Sequence, residues 1–150
     1  MKSAKIIFTV LCGFLIGVSA LAGEFKIHCF ADLGECASKI EGLVSEKFTR
    51  HYPASHFHIV VIAEFQPYGS GGGVGYALAG VSPLLEDGTT QFPIHRFATT
   101  VRINDRVMGP YDVAEETAEV MRRSVEQMMA VCDRSPDCAV HIPYPGTDPY

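Results

Sequence analysis

Basic residues are scarce in this 150-residue sequence: 12 lysines and arginines stand against 17 aspartates and glutamates, for a net charge of −5 at neutral pH. Binding nucleic acid requires clustered cations that displace counterions from phosphates. The densest basic pairing, Arg122-Arg123, lies within an acidic stretch. Nucleic acid is therefore excluded as a main partner. Asparagine is scarcer still: Asn104 is the only one, and Asp105-Arg106 follows it, so there is no acceptor for N-glycosylation. No two cysteines have the C-x-x-C spacing, which removes the closely spaced thiolate pair of most structural zinc sites. A Walker lysine is missing, and Ser70 does not stand in a Gly-x-Ser-x-Gly elbow. With 47% apolar and 19% charged residues, the composition is globular and speaks against disordered, collagen-like or mucin-like structure.

The amino terminus reads as an export signal. Lys2 and Lys5 precede an uncharged apolar run from Ile6 to Ala22, which ends in Ala20-Leu21-Ala22, the small-residue pattern of a signal-peptidase site. The run contains Gly13, Gly17 and Ser19 and falls short of the roughly 20 apolar residues a bilayer span needs. Cys12 follows the bulky Leu11, which speaks against a lipid-anchored start. The reading is thus a signal peptide over 1–22, with a mature chain from Gly23 that is exported, periplasmic if the source is bacterial and extracellular otherwise, with no stable membrane anchor after cleavage. Cleavage removes two lysines and no acid, taking the charge from −5 to −7.

Four cysteines remain: Cys29, Cys36, Cys132 and Cys138. In an oxidising compartment an even number reads as two disulfides, with three connectivities that sequence alone leaves open. Local pairs, Cys29 with Cys36 and Cys132 with Cys138, are the first expectation, because each brackets a short segment rich in turn residues (Asp32, Gly34; Asp133, Ser135, Pro136). A crossed pairing tying the first segment to the last helix is the alternative.

Periodicity gives the elements of a single domain over 23–141. Phe25, Ile27 and Cys29 alternate with polar residues as in a short strand. Ser38-Lys39-Ile40-Glu41 has the form of a capping box. The spacing of Ile40, Leu43, Val44, Lys47 and Phe48 predicts an amphipathic helix ending at Tyr52-Pro53. Strands are expected over 57–65, 76–82 and 94–103, with a short return through Val107 and Met108 after a turn at Asn104-Asp105. Asp112 is placed as the cap of a long helix. Along it Val113, Thr117, Val120, Met121, Val125, Met128 and Cys132 recur at helical spacing, so the methionines are read as core. The proline-rich segment 142–150 is expected to be an extended tail. The order is β-α-β-β-β-α, an α+β two-layer sandwich in which an antiparallel meander packs against two helices.

Three features could carry chemistry. Five glycines fall within Gly69–Gly75, a composition that frees the backbone. Phosphate loops place a helix after such a segment, whereas here a strand follows, so it reads as a hairpin loop. Tyr68, Ser70, Gly71, Gly72 and Gly73 would be its partner-contacting residues. His51, His56 and His58 lie close together, and His56 and His58 share one face if strand pairing begins there, the basis for a metal-binding alternative. His28, His95 and His141 show no pattern. A small hydrolase using His58, Glu64 or His95 is a further alternative, and Glu86-Asp87-Gly88 reads as a solvated turn. No catalytic residue is assigned and no cofactor is called for. The leading expectation is a small exported, disulfide-stabilised binding or inhibitory domain without catalysis of its own, whose negative charge favours a basic protein partner.

Overall fold

The computed structural model describes residues 25–31, 36–103 and 106–142. The segment read as a signal peptide, 1–22, the residues expected in turns, Asp32, Gly34, Asn104 and Asp105, and residues 143–150 of the expected tail lie outside them. The expected α+β architecture is present: a four-stranded sheet carries helices on one face. Strand β1 (Ile27–Phe30) leads to helix α1 (Cys36–Ile40), a 3-10 turn (Glu41–Leu43) and helix α2 (Glu46–His51). Strands β2 (Phe57–Pro67), β3 (Gly73–Pro83) and β4 (Phe97–Ile103) follow, and helix α3 (Pro110–Arg134) closes the order.

The sheet order is β1-β2-β3-β4. Strands β2, β3 and β4 form the expected antiparallel meander, with Val61 opposite Ala79 and Ala79 opposite Phe97. The helical crossover returns the chain to the end of the sheet where β1 began, so β1 pairs parallel to β2, Cys29 beside Val61, and the sheet is mixed.

Three local expectations are corrected. The first helix is two, because Gly42, Val44 and Ser45 interrupt it. Ser38 lies inside α1, and Ser45 is the cap, its Oγ accepting from Phe48 N–H at 3.2 Å. In α3 the chain enters at Pro110, whose missing N–H suits a first helical turn. Asp112 then sits within that turn, accepting from Gly109 N–H at 2.8 Å. No return strand forms at Val107 and Met108.

One face of the sheet is the core. Ile59, Val61, Ala63, Ala77, Ala79, Val81 and Phe97 meet Val120, Met121, Val125, Met128, Met129 and Cys132 of α3, so the methionine stripe is interior. Alanines on β3 let the long helix approach closely. Polar groups buried here are satisfied: Thr117 Oγ1 donates to Val113 O and Ser124 Oγ to Met121 O. Tyr52 Oη donates to Cys138 O at 2.7 Å and accepts from Val140 N–H, pinning the segment after α3 to the end of α2. The local disulfides are formed, Cys29 with Cys36 and Cys132 with Cys138. Each closed loop of this size contributes about 2–3 kcal/mol in the chain-entropy account.

Candidate functional site

The opposite face carries the even-numbered residues of β2 and β3, and its two ends are different environments. At the end where β2 begins, the connection from Leu84 to Arg96 does not return directly to β4. It crosses the outer face as far as β1. Phe92 stacks on Phe30 with ring centroids 5.8 Å apart, Thr90 Oγ1 lies 3.3 Å from His28 Nδ1, and Ser82 Oγ donates to Gln91 O at 2.9 Å. Gly80 makes this crossing feasible. A Cβ there would stand 2.6 Å from Pro93 Cγ and 2.8 Å from His95 O, so the close backbone approach requires glycine.

Beneath this strap His58 is 1% exposed, and neither ring nitrogen has a partner. Its neighbour is His28 on β1, ring centroids 4.7 Å apart. Burial, then the nearby His28 and Lys26, lower the His58 pKa from 6.5 to about 4, because the charged form loses its hydration. Gln91 Oε1 is likewise buried without a partner. Among the described residues these three atoms are the buried side-chain polar atoms left unpaired, and both residues bearing them belong to this corner of the fold.

At the other end the face is open. Tyr76 is 39% exposed and Val74 beside it is also uncovered. Tyr76 Oη donates to Glu64 Oε2 at 3.0 Å, Gln66 Nε2 donates to Glu64 Oε1 at 2.7 Å, and the Glu64 contact raises the tyrosine pKa. Thr100 and Arg102 complete this surface from β4. Leu78 joins it to the strap, sharing a crevice with Ile62, Phe92 and Pro93. The outcome is a strip of partly exposed apolar and aromatic side chains from Phe92 to Val74, rimmed by polar groups.

The glycine segment is a hairpin turn, as expected. Tyr68 N–H donates to Gly72 O at 2.9 Å and Gly71 N–H to Tyr68 O at 3.1 Å, with Gly71 and Gly72 at φ +97° and +78°. Gly72 N–H is also bonded to Arg106 O. Gly73 and Gly75 serve packing instead. A Cβ on Gly75 would stand 2.6 Å from Phe65 Cδ2, so the Phe65 ring lies across the glycines of the neighbouring strand. Tyr68 and Ser70 are exposed at the turn, and Gly71 and Gly72 are progressively buried.

The histidine cluster of the sequence is divided. His51 ends α2 with its Nδ1 2.9 Å from Lys47 O, and His56 lies in the turn before β2. Only His58 enters the outer face. Among the described residues no group of three or more His, Cys, Asp or Glu could hold a metal ion. The hydrolase candidates are also apart: His58 and Glu64 lie about 20 Å from each other along an extended strand, and the His95 ring packs on Phe97 at 4.7 Å. A cleft of about 520 Å³ between the end of β2 and the start of α3 is lined mainly by apolar groups, including Ala63, Phe65, Met108 and Val113.

The basic pair is engaged in ion pairs: Arg122 with Glu119 and Glu126, and Arg123 with Glu119. Among the described residues no helix is long and apolar enough to cross a membrane. Sequence reasoning missed His28, Ser82, Thr90 and Gln91. Gly80, a glycine inside a strand, was the available signal that another segment passes close by. No known family model matches the chain, and no curated protein is significantly similar to it.

Proposed function

We propose that this is a small exported binding or inhibitory domain without catalysis of its own, which holds a protein partner on the open end of its outer sheet face and the adjoining hairpin. The observation carrying this reading is the strip Phe92, Leu78, Tyr76 and Val74, continued by Tyr68 at the turn. Partly exposed apolar patches rimmed by polar groups characterise interaction surfaces, and tyrosine is enriched among residues that dominate binding energy. The disulfides hold the scaffold that presents it. Glu64, already oriented by Tyr76 and Gln66, offers a fixed carboxylate to a basic group. An excess of acids over the whole chain would steer such a partner inward.

The residues of the hairpin divide between contact and geometry: Tyr68 and Ser70 supply side chains, Gly71 and Gly72 shape the turn, and Gly73 makes room for the Phe65 ring. The test is affinity chromatography from the compartment in which the protein resides, followed by titration of the purified partner. Tyr76→Ala and Tyr68→Ala should each weaken a one-to-one complex at least about tenfold, as expected for central aromatic contacts. Unchanged affinity in both variants would remove this surface from the interaction. A purified chain that hydrolyses a substrate at a rate abolished by Glu64→Gln would replace the reading with an enzymatic one.

A further inference from the structure

We propose that His28 and His58, with the side-chain oxygen of Gln91, form a buried binding site for a transition-metal ion of the zinc or copper class. The site is independent of the open surface and uses a different histidine set from the one adjacent in sequence. Its first support is donor chemistry. A neutral imidazole has one ring nitrogen with a lone pair, and such nitrogens suit zinc and copper. His58 presents two ring nitrogens without a protein partner at 1% exposure. Leaving such groups unpaired is costly, and coordination satisfies the one nitrogen of the two that carries the lone pair.

The second support is geometry. His28 and His58 project from adjacent strands onto one face, with ring centroids 4.7 Å apart. An ion about 2 Å from one nitrogen of each ring spans such a separation through ring rotation, without displacement of the strands. Thr90 Oγ1 lies 3.3 Å from His28 Nδ1, which engages that nitrogen and leaves Nε2 to the ion, the arrangement by which outer-shell groups orient metal-bound histidines. Gln91 follows Thr90 directly, and its backbone is tied to Ser82, the cross-strand neighbour of His58. Its Oε1 is buried and unpaired on the segment that the Ser82 bond holds near His58, which makes it the candidate third donor and leaves one position open. Lys26 lies near enough to act on the His58 ring and opposes a cation, so the affinity expected is moderate.

The full disulfide-bonded protein, freed of metal with a chelator, would be titrated calorimetrically with Zn2+ and separately with Cu2+ at neutral pH. One ion per chain is expected from at least one of them. Ring resonances of His28 and His58 should shift together at one equivalent. His28→Gln, at a half-buried position, should abolish stoichiometric binding, and Thr90→Val should weaken it roughly tenfold to a hundredfold. The double variant His51→Ala, His56→Ala should bind as the parent does. Absence of saturable binding by either ion would overturn the site, as would binding that survives His28→Gln or is lost in the double variant. Circular dichroism of His28→Gln separates a lost site from a lost fold, and Thr90→Val repeats the test where folding fails.

Discussion

The two faces of the sheet are both covered where β2 begins, but by different means. On the inner face a 25-residue helix lays a continuous stripe of Val, Met and Cys on β2 and β3, and Thr117, Ser124 and Tyr52 all find hydrogen-bond partners. On the outer face a strap without regular structure covers His58 and leaves its nitrogens and Gln91 Oε1 unpaired. Apolar burial with satisfied polar groups is the arrangement that stabilises a fold. An unsatisfied polar nest costs stability, so its presence points to a role beyond holding the strands together.

The largest effect separating the faces should come from Phe48 of α2, which is fully buried in the inner core and packs on Phe25 and Tyr52. Phe48→Ala removes a large ring where the surroundings cannot collapse, and denaturant unfolding should show a loss of about 3–5 kcal/mol. A loss below about 1 kcal/mol would mean that the inner layer is not the seat of stability. Gly80→Val tests the other face. Its side chain would collide with Pro93, costing about 1–3 kcal/mol as overpacking does. Hydrogen exchange should quicken across Leu84–Arg96 while α3 stays protected. Uniform loss of protection would show that strap and core unfold as one unit.

Acidification acts on the nest through linkage. The folded-state pKa of His58, about 4, lies below its unfolded value near 6.5. The unfolded chain therefore takes up the proton first as pH falls. Stability from this group is fully present above about pH 6.5 and is lost progressively down to about pH 4, by an amount on the order of 3 kcal/mol. His141, whose pKa burial also lowers, adds a loss of the same sign. In metal-free protein His58→Leu should flatten most of the slope and, by replacing orphaned nitrogens with apolar surface, should leave neutral-pH stability equal or higher. A slope as steep as the parent's would place the titrating group elsewhere. Carboxylates such as Glu119, held low by Arg122 and Arg123, lose their contribution only at lower pH, within and below the ordinary carboxylate range.

These differences follow the limits of the sequence. The inner face was legible because its signals are local: Val120, Met121, Val125 and Met128 repeat at helical spacing, Ile59 to Ala63 is continuously apolar, and each cysteine pair brackets its own run of turn-forming residue types. The first helix misled because Ser38-x-x-Glu41 resembles a cap, while Gly42 and Ser45 set the real break. The outer site stayed hidden because it joins residues 62 positions apart, His28 and Thr90, through a strap whose path only tertiary packing decides. Nearness in sequence grouped His58 with His51 and His56, but the parallel pairing of β1 with β2 brings His28 to it.

The smallest effect on stability belongs to the open end of the outer face. Tyr76→Ala and Tyr68→Ala remove partly exposed rings that fill no cavity, and Tyr76 loses only a solvent-exposed hydrogen bond to Glu64. Their melting temperatures should stay close to the parent's, with stability changed by about 0.5 kcal/mol or less. A surface kept for binding differs from one kept for folding in this respect: its side chains can be removed without the fold responding, while affinity for the partner falls. Should Tyr76→Ala instead destabilise as Gly80→Val does, the open end would belong to the scaffold, and the distinction between a closed end and a presenting end would collapse.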